Sequence, residues 1–515
     1  MTVDKNESYR DRLRTCVALT GACAALACGT ARAETYIEPR VGFDLSWTDN
    51  VDLATSGAPK HDELIGQLRP GITFTQDGQN LQAFFDYTLQ AVYFQNQSDS
   101  QVFHQGDLGV QFAALPEWFY IDLGANRSQT VIDPRQPINA GNMFQTGNVA
   151  DSTSGQITPI FLHRFRVAEV EASYTRGFLH YSRADTIEET PTTPSTFDDS
   201  RNQAASFSLR APDPDAVFTW DANYRHDKVD YDIAEPFEYD RAYLELGLRV
   251  HRGFRLLAQG GLETDLIQHR STGGLDERSY KGGFEWLEGE RNEVRALVGH
   301  RFFGTTYEGL WRYTGRVLES NVEYNEGPTT QTQDRVVRGT TAPGDFPPGL
   351  GTDFSRTTSD VYLSKRLDGE IGLRGRVTGI FLSADWERRT YIYLGNVSDK
   401  TLGADLLVTR RLGPRVTLEA SVAYADSNLR EGGSYTDRTY EITLRRQIGT
   451  KTELTLTGNR INRTGSTQVY TANWVLLGLE VNFAGTDRAG GGRGRGFAAG
   501  RPETRTNSLP TVPQR

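Results

Sequence analysis

Residues 467–483 read Thr-Gln-Val-Tyr-Thr-Ala-Asn-Trp-Val-Leu-Leu-Gly-Leu-Glu-Val-Asn-Phe, and this stretch decides the fold. Val469, Val475, Leu477, Leu479, Val481 and Phe483 share one parity. Gln468, Tyr470, Gly478, Glu480 and Asn482 share the other. A period of two marks a strand with one apolar and one mostly polar face. The run is longer than an ordinary strand of ~5–6 residues. A strand that crosses a bilayer in a barrel uses ~9–11 tilted residues and projects beyond them. The stretch is therefore read as the last strand of a barrel, which must pair with the first to close the sheet.

The same alternation recurs upstream. Leu81, Ala83, Phe85, Tyr87, Leu89, Ala91 and Tyr93 alternate with Gln82, Phe84, Asp86, Thr88, Gln90, Val92 and Phe94. Ala242, Leu244, Leu246, Leu248 and Val250 alternate with Arg241, Tyr243, Glu245, Gly247 and Arg249. Val416, Leu418, Ala420 and Val422 alternate with Thr417, Glu419, Ser421 and Ala423. Such runs start near residues 38, 62, 80, 101, 117, 153, 166, 200, 215, 239, 254, 278, 292, 305, 316, 356, 376, 400, 414, 435, 451 and 467. The fold expected is all-β: a transmembrane antiparallel β-barrel of about 22 strands, within a range of roughly 18–24. An even count places both termini on the periplasmic side.

The connections support that reading. Tight turn signals stand at Asp77-Gly78, Leu115-Pro116, Arg164-Phe165, Pro212-Asp213-Pro214, Arg252-Gly253, Glu288-Gly289, Thr314-Gly315, Gly413-Pro414 and Gly449-Thr450. Longer polar connections lie between them, at 48–61, 132–152, 184–199, 231–238, 269–277, 325–355 and 428–434. Short periplasmic turns alternating with long external loops are a property of outer-membrane barrels. Soluble β-sandwiches also alternate, but their apolar faces need a facing sheet. In lipid, closure satisfies every backbone polar group within the sheet.

Composition agrees. Hydrophobic residues make up 37%, and mean hydropathy is −0.52. No run after residue 34 approaches the ~18 apolar residues of a membrane helix. Alternating strands average out polar, so a barrel is compatible with these values. Aromatics at run ends suggest interfacial girdles: Trp47, Tyr93/Phe94, Trp118/Phe119/Tyr120, Tyr391/Tyr393 and Tyr435/Tyr440.

Residues 1–33 read as a secretory signal peptide. Lys5, Arg10, Arg12 and Arg14 precede a short apolar run from 16 to 27, and Ala31-Arg32-Ala33 fits a cleavage site. The three cysteines, Cys16, Cys23 and Cys28, all lie inside it. A disulfide or cysteine–metal framework is therefore not expected. Removing residues 1–33 takes five basic and three acidic residues, leaving 51 basic against 63 acidic. An acidic exported chain does not suggest nucleic-acid binding. Residues 34–484 are assigned to the barrel. Residues 485–515, rich in Gly, Arg and Pro, are read as a disordered periplasmic tail.

No zinc-type spacing, nucleophile elbow or phosphate loop is found, so no enzyme, cofactor or metal is expected. Loop acids Asp62-Glu63 and Asp198-Asp199 could bind a divalent cation, but solvated charge is the simpler reading. The inward parity is where function is expected. Its candidate lumen-facing residues are Asp86, Asp107, Asp122, Glu171, Asp221, Arg225, Arg241, Glu245, Arg249, Arg255, Glu263, Arg295, Glu419, Glu441, Arg445, Glu453 and Glu480. A charge facing lipid costs ~2–4 kcal/mol near the midplane, so these should face water. They either tune what passes or pair across strands and stiffen the wall. The loop 325–355 is the expected constriction.

Several motifs carry a family resemblance. They are Trp47-Thr48-Asp49-Asn50-Val51, Leu68-Arg69-Pro70-Gly71 followed by residues 81–94, Gly299-His300-Arg301-Phe302-Phe303-Gly304-Thr305-Thr306-Tyr307, and Glu387-Arg388-Arg389-Thr390-Tyr391. In these the chain resembles the outer-membrane β-barrel proteins associated with PEP-CTERM/exosortase exopolysaccharide systems. The basic tail after Phe483 departs from the usual terminal aromatic. The resemblance implies location in the outer membrane and a link to exopolysaccharide export or secretion. The expected function is a porin-like conduit. The alternative is a non-conducting barrel that anchors polysaccharide through its external loops. Partners would be outer-membrane lipid, the barrel assembly machinery and exopolysaccharide or its export apparatus.

Overall fold

The computed structural model describes residues 34–131, 135–146, 148–183, 198–267, 274–289, 291–333, 360–394, 397–429, 433–466 and 468–484. Residues 1–33, read as a signal peptide, and the basic tail 485–515 lie outside these residues. Within them, twenty-two strands form one antiparallel sheet. In chain order they are β1 (Glu34–Thr48), β2 (Glu63–Asp77), β3 (Leu81–Phe94), β4 (Asp99–Leu115), β5 (Phe119–Val131), β6 (Val149–Arg164), β7 (Glu169–Arg183), β8 (Ser200–Arg210), β9 (Phe218–Tyr231), β10 (Phe237–His251) and β11 (Phe254–Glu263). They continue as β12 (Glu277–Glu288), β13 (Asn292–Arg301), β14 (Gly304–Thr314), β15 (Leu318–Thr329), β16 (Tyr362–Arg374), β17 (Thr378–Tyr391), β18 (Ser398–Gly413), β19 (Val416–Leu429), β20 (Gly433–Ile448), β21 (Thr452–Gly465) and β22 (Tyr470–Asn482). Each strand pairs with the next, and β22 pairs with β1, so the sheet has no free edge.

The closing seam explains why alternation reads so clearly. Phe43, Leu45 and Trp47 of β1 stand opposite Leu479, Leu477 and Val475 of β22. All six are exposed on the outer face. On the other face Asp44 meets Gly478 and Thr48 meets Trp474, and these β1 residues are buried. The outer residues form an apolar band with no protein layer over it, as a lipid-embedded wall requires.

That the polar face is the concave one follows from contacts that skip strands. Arg40 on β1 reaches Asp86 on β3 at 2.8 Å, and Arg295 on β13 reaches Glu245 on β10 at 2.6 Å. Five of the seven tryptophans, 47, 220, 286, 311 and 386, fall on the outward parity. Three of these, 220, 286 and 311, lie toward the end that carries the termini, where Trp118 in the β4–β5 turn stacks on His163 with Phe161 and Phe165 beside it. An amphipathic ring belongs at that level.

The nine tight turn signals all fall at the end that carries both termini, and a tenth turn, 375–377, joins them. The longest connection there is 211–217, whereas the opposite end carries 49–62, 132–148, 184–199 and 330–361. Strand starts differ from the sequence reading by a few residues. The largest shift is at β16, which begins at Tyr362 rather than near 356. β15 also runs on to Thr329, so the connection read as 325–355 begins later.

The girdle assignment needs correction at five positions. Phe94, Tyr391 and Tyr435 point inward and are buried, Tyr120 lies on the inward parity opposite Ile160, and Tyr393 packs in a cluster at the loop end. Parity decides this: Phe94 pairs with Ile65, Tyr391 with Tyr362 and Tyr435 with Ser427, all on the inner face. Tyr93, Trp118 and Tyr440 are exposed on the outside, as a girdle demands.

Candidate functional site

The inner wall is the site. All seventeen lumen-facing candidates lie on the inward parity. Cross-strand partners share a face, and the register connects them around the barrel: Asp86 opposite Asp107, Asp122 opposite Thr158, Asp221 opposite Glu245, Arg225 opposite Arg241, and Arg249 opposite Arg255. Glu263 stands opposite Arg241, Arg295 opposite Glu285, Glu441 opposite Asn459, and Glu453 opposite Glu480. Glu171 stands opposite Ser208, and Glu419 and Arg445 face one another diagonally at 3.0 Å. A period-two chain in a closed sheet has no other way to place them.

Charge is not uniform around this wall. On β9–β14 the inward acids are Asp221, Asp227, Glu245, Glu263, Glu277, Glu285, Glu293 and Glu308. The inward bases there are Arg225, Arg241, Arg249, Arg255, Lys281, Arg295, Arg301 and Arg312, eight against eight. Many are paired directly: Arg255 with Glu285 at 2.6 Å, Lys281 with Glu308 at 2.8 Å and Arg312 with Glu293 at 3.0 Å. On β15–β22 the inward acids are Glu319, Glu323, Asp368, Glu370, Asp385, Glu387, Asp399, Asp405, Glu419, Asp437, Glu441, Glu453 and Glu480. The inward bases there are Arg366, Arg374, Arg389, Arg411, Arg445 and Arg463, six against thirteen.

At the loop end, three buried arginine clusters brace the mouth. Arg463 grips Asp437 through Nε at 2.7 Å and Nη2 at 2.5 Å, and lies over the rings of Tyr435 and Tyr470. Arg301 donates to Glu263 at 2.7 Å and to the Tyr239 hydroxyl at 2.6 Å, while that hydroxyl donates to Glu263 at 2.7 Å. Arg389 donates to Glu387 at 2.9 Å and lies over Tyr362, with Ser364 donating to the same carboxylate at 2.6 Å. A buried charge persists only when paired and hydrogen-bonded, and each cluster meets that condition. Two of the sequence motifs supply these clusters, Arg301 in 299–307 and Glu387 and Arg389 in 387–391. Asp437, Arg463 and Arg40 were not among the candidates, although their parity would have found them.

Two loops turn into the mouth. From the β5–β6 connection, Gln136 offers its carbonyl to Arg463 at 2.7 Å and Gly141 offers its own to Gln90 at 3.0 Å. Asn142 donates to Gln90 at 2.9 Å. Phe144 meets Trp474 edge to face with centroids 5.4 Å apart. Met143 and Phe144 complete an apolar core with Val51, Leu53, Ile65, Phe94 and Tyr470. From the β15–β16 connection, Thr332 bonds Ser200 at 2.9 Å across to β8, and Thr330 and Gln331 are buried. The expected constriction at 325–355 otherwise lies outside the described residues, and the β5–β6 segment was not singled out from sequence.

The loop acids serve the backbone. Asp198 accepts amides from Asp232, Ile233 and Ala234, and Glu63 accepts the amide of Asn96 at 2.7 Å. His300 points outward and stacks on Tyr280. His226, Glu238 and Asp240 converge on the outer face just beyond the apolar band, where His226 meets Asp240 at 2.9 Å.

No protein-family model matches the chain, and no curated protein matches it. Among solved structures it is similar to the siderophore receptor PirA from Pseudomonas aeruginosa, at 9% identity and a TM-score of 0.43, over 88% of this chain and 81% of that one. It is similar to the ferric enterobactin receptor PfeA in complex with BCV-L6, at 9% identity and a TM-score of 0.46, over 88% and 82%. It is also similar to Pseudomonas aeruginosa OpdK with vanillate, at 9% identity and a TM-score of 0.34, over 87% and 99%.

Proposed function

We propose that this outer-membrane-type barrel is a porin-like conduit associated with exopolysaccharide export or secretion. The observation that carries the conduit is the closed wall whose inner face is charged along its height while its outer face is apolar. A sheet of this size encloses a lumen that is water-filled or plugged. Fixed charges on such a wall act on whatever solute passes. The exopolysaccharide association rests on the sequence motifs, two of which supply mouth clusters. The short-turn end carrying both termini faces the periplasm in this reading, and the long loops face outward. Export would proceed through the signal at residues 1–33 and the barrel assembly machinery.

A second reading is a non-conducting barrel that anchors polymer through its loops. The inward packing of Phe144 on Trp474 and of Thr332 on Ser200 favours it. Planar-bilayer recording of the refolded chain separates the two. The conduit predicts discrete channels, larger after deletion of 135–146. Silence from both proteins, each shown folded by heat-modifiable gel mobility, would leave the anchoring barrel. Loss of cell-bound polymer with normal export in a deletion strain would then support it.

A further inference from the structure

Two arcs of the wall differ in charge. The β9–β14 arc carries as many inward bases as acids and ties many of them into ion pairs 2.6–3.0 Å long. The β15–β22 arc carries an excess of seven acids, thirteen against six. Three of these acids stand on neighbouring rungs where β16, β17 and β18 meet. Asp368 stands directly opposite Asp385. Asp385 stands opposite Gly403, and its Oδ1 lies 2.3 Å from where a Cβ would sit on that glycine. Any side chain at 403 would displace the carboxylate, so the glycine makes room for it. Asp405 follows two residues along the same face and stands opposite Ser383.

From this asymmetry we infer that the lumen selects for cations, and that Asp385 and Asp405 set the preference, Asp368 being paired with Arg366 at 2.6 Å. The inference rests on the conduit reading. Neighbouring carboxylates on a low-dielectric wall raise the local concentration of counter-ions and repel anions. Inward acids are how cation pores discriminate. The balanced β9–β14 arc beside it offers no compensating positive field, because its bases face equal numbers of acids. The solute class that fits is cationic or neutral. A polymer dense in carboxylate or sulfate would meet an opposing field along the β15–β22 arc.

The test is the reversal potential of the refolded full-length barrel in a bilayer under a KCl gradient. The expected result is a potassium-over-chloride permeability ratio above one. In the D385N/D405N double variant, folded by heat-modifiable mobility, the ratio should fall toward one. Channels that are unselective or anion-selective would overturn this inference and leave the conduit standing. An unchanged ratio in the double variant would overturn the assignment to these two residues. Folded protein that forms no channels, with or without 135–146, would overturn the conduit and this inference with it.

Discussion

Arg463 and Asp437 form a two-point ion pair on the inner wall with both side chains 0% exposed. The third nitrogen of the same guanidinium donates to the Gln136 carbonyl at 2.7 Å. One side chain thus joins β20, β21 and the loop that fills the mouth. Only a planar guanidinium has donors enough, in a fixed fork, to hold a carboxylate and a carbonyl together.

Replacing Arg463 with alanine leaves Asp437 buried and unpaired, which costs about 3–5 kcal/mol in comparable pairs. It also releases Gln136. The expected outcome is a lower urea midpoint and, in bilayers, a larger or noisier conductance. The R463K variant should recover little of either, because an ammonium cannot reproduce the fork. Unfolding monitored by gel mobility together with single-channel recording checks both halves.

Phe144 and Trp474 meet edge to face. Alanine at each, and at both, should give a coupling energy of about 0.5–1.5 kcal/mol in a double-mutant cycle. Additive effects would show that the loop does not rest on Trp474. Loss of Trp474 fluorescence quenching by a probe placed at position 144 offers a second measure of the same contact.

Leu477 and Leu479 face outward on the closing strand at 47% and 40% exposure. Aspartate at both places two charges on the lipid side of the seam. The expected outcome is loss of the heat-modifiable barrel, since lipid-side charge is penalised and the seam is where closure is decided. E480L, on the same strand but the inner face, should still fold. Equal behaviour of the two variants would contradict the assignment of faces.

Gly253 sits in the two-residue connection between β10 and β11 with φ of +81°. A Cβ there would also meet the Leu287 carbonyl oxygen at 2.2 Å. Alanine faces a backbone penalty of about 1 kcal/mol from the left-handed conformation, with the clash in addition. G253A should slow folding and lower the urea midpoint by more than G449A, since Gly449 has φ of +79° with open space around it. Folding kinetics into detergent micelles would rank the two.

Strand number and facing were legible because a wall one residue thick must alternate along its length, and tight turns recur throughout the end that carries the termini. Val475, Leu477 and Leu479 could be assigned to lipid from sequence on that rule alone. The mouth was not legible. Phe94, Tyr391 and Tyr435 look like girdle aromatics by position, yet they lie on the inner face and pack under loops. Position along the strand says how high a ring sits; only parity carried around the sheet says which side it occupies. Segment 135–146 gave no periodic signal, because its partners Gln90, Arg463 and Trp474 belong to strands far away in sequence.

Residues 467–483 by themselves determined a strand, its two faces and its need for a partner. They did so because side-chain direction in an extended chain depends only on local geometry. That β1 is the partner, with Phe43 on Leu479 and Asp44 on Gly478, is a property of the closed sheet. So are the reach of Arg463 to Gln136 and the meeting of Asp368, Asp385 and Gly403. These contacts join residues distant in sequence, and only the curvature and register of a closed wall bring such groups together.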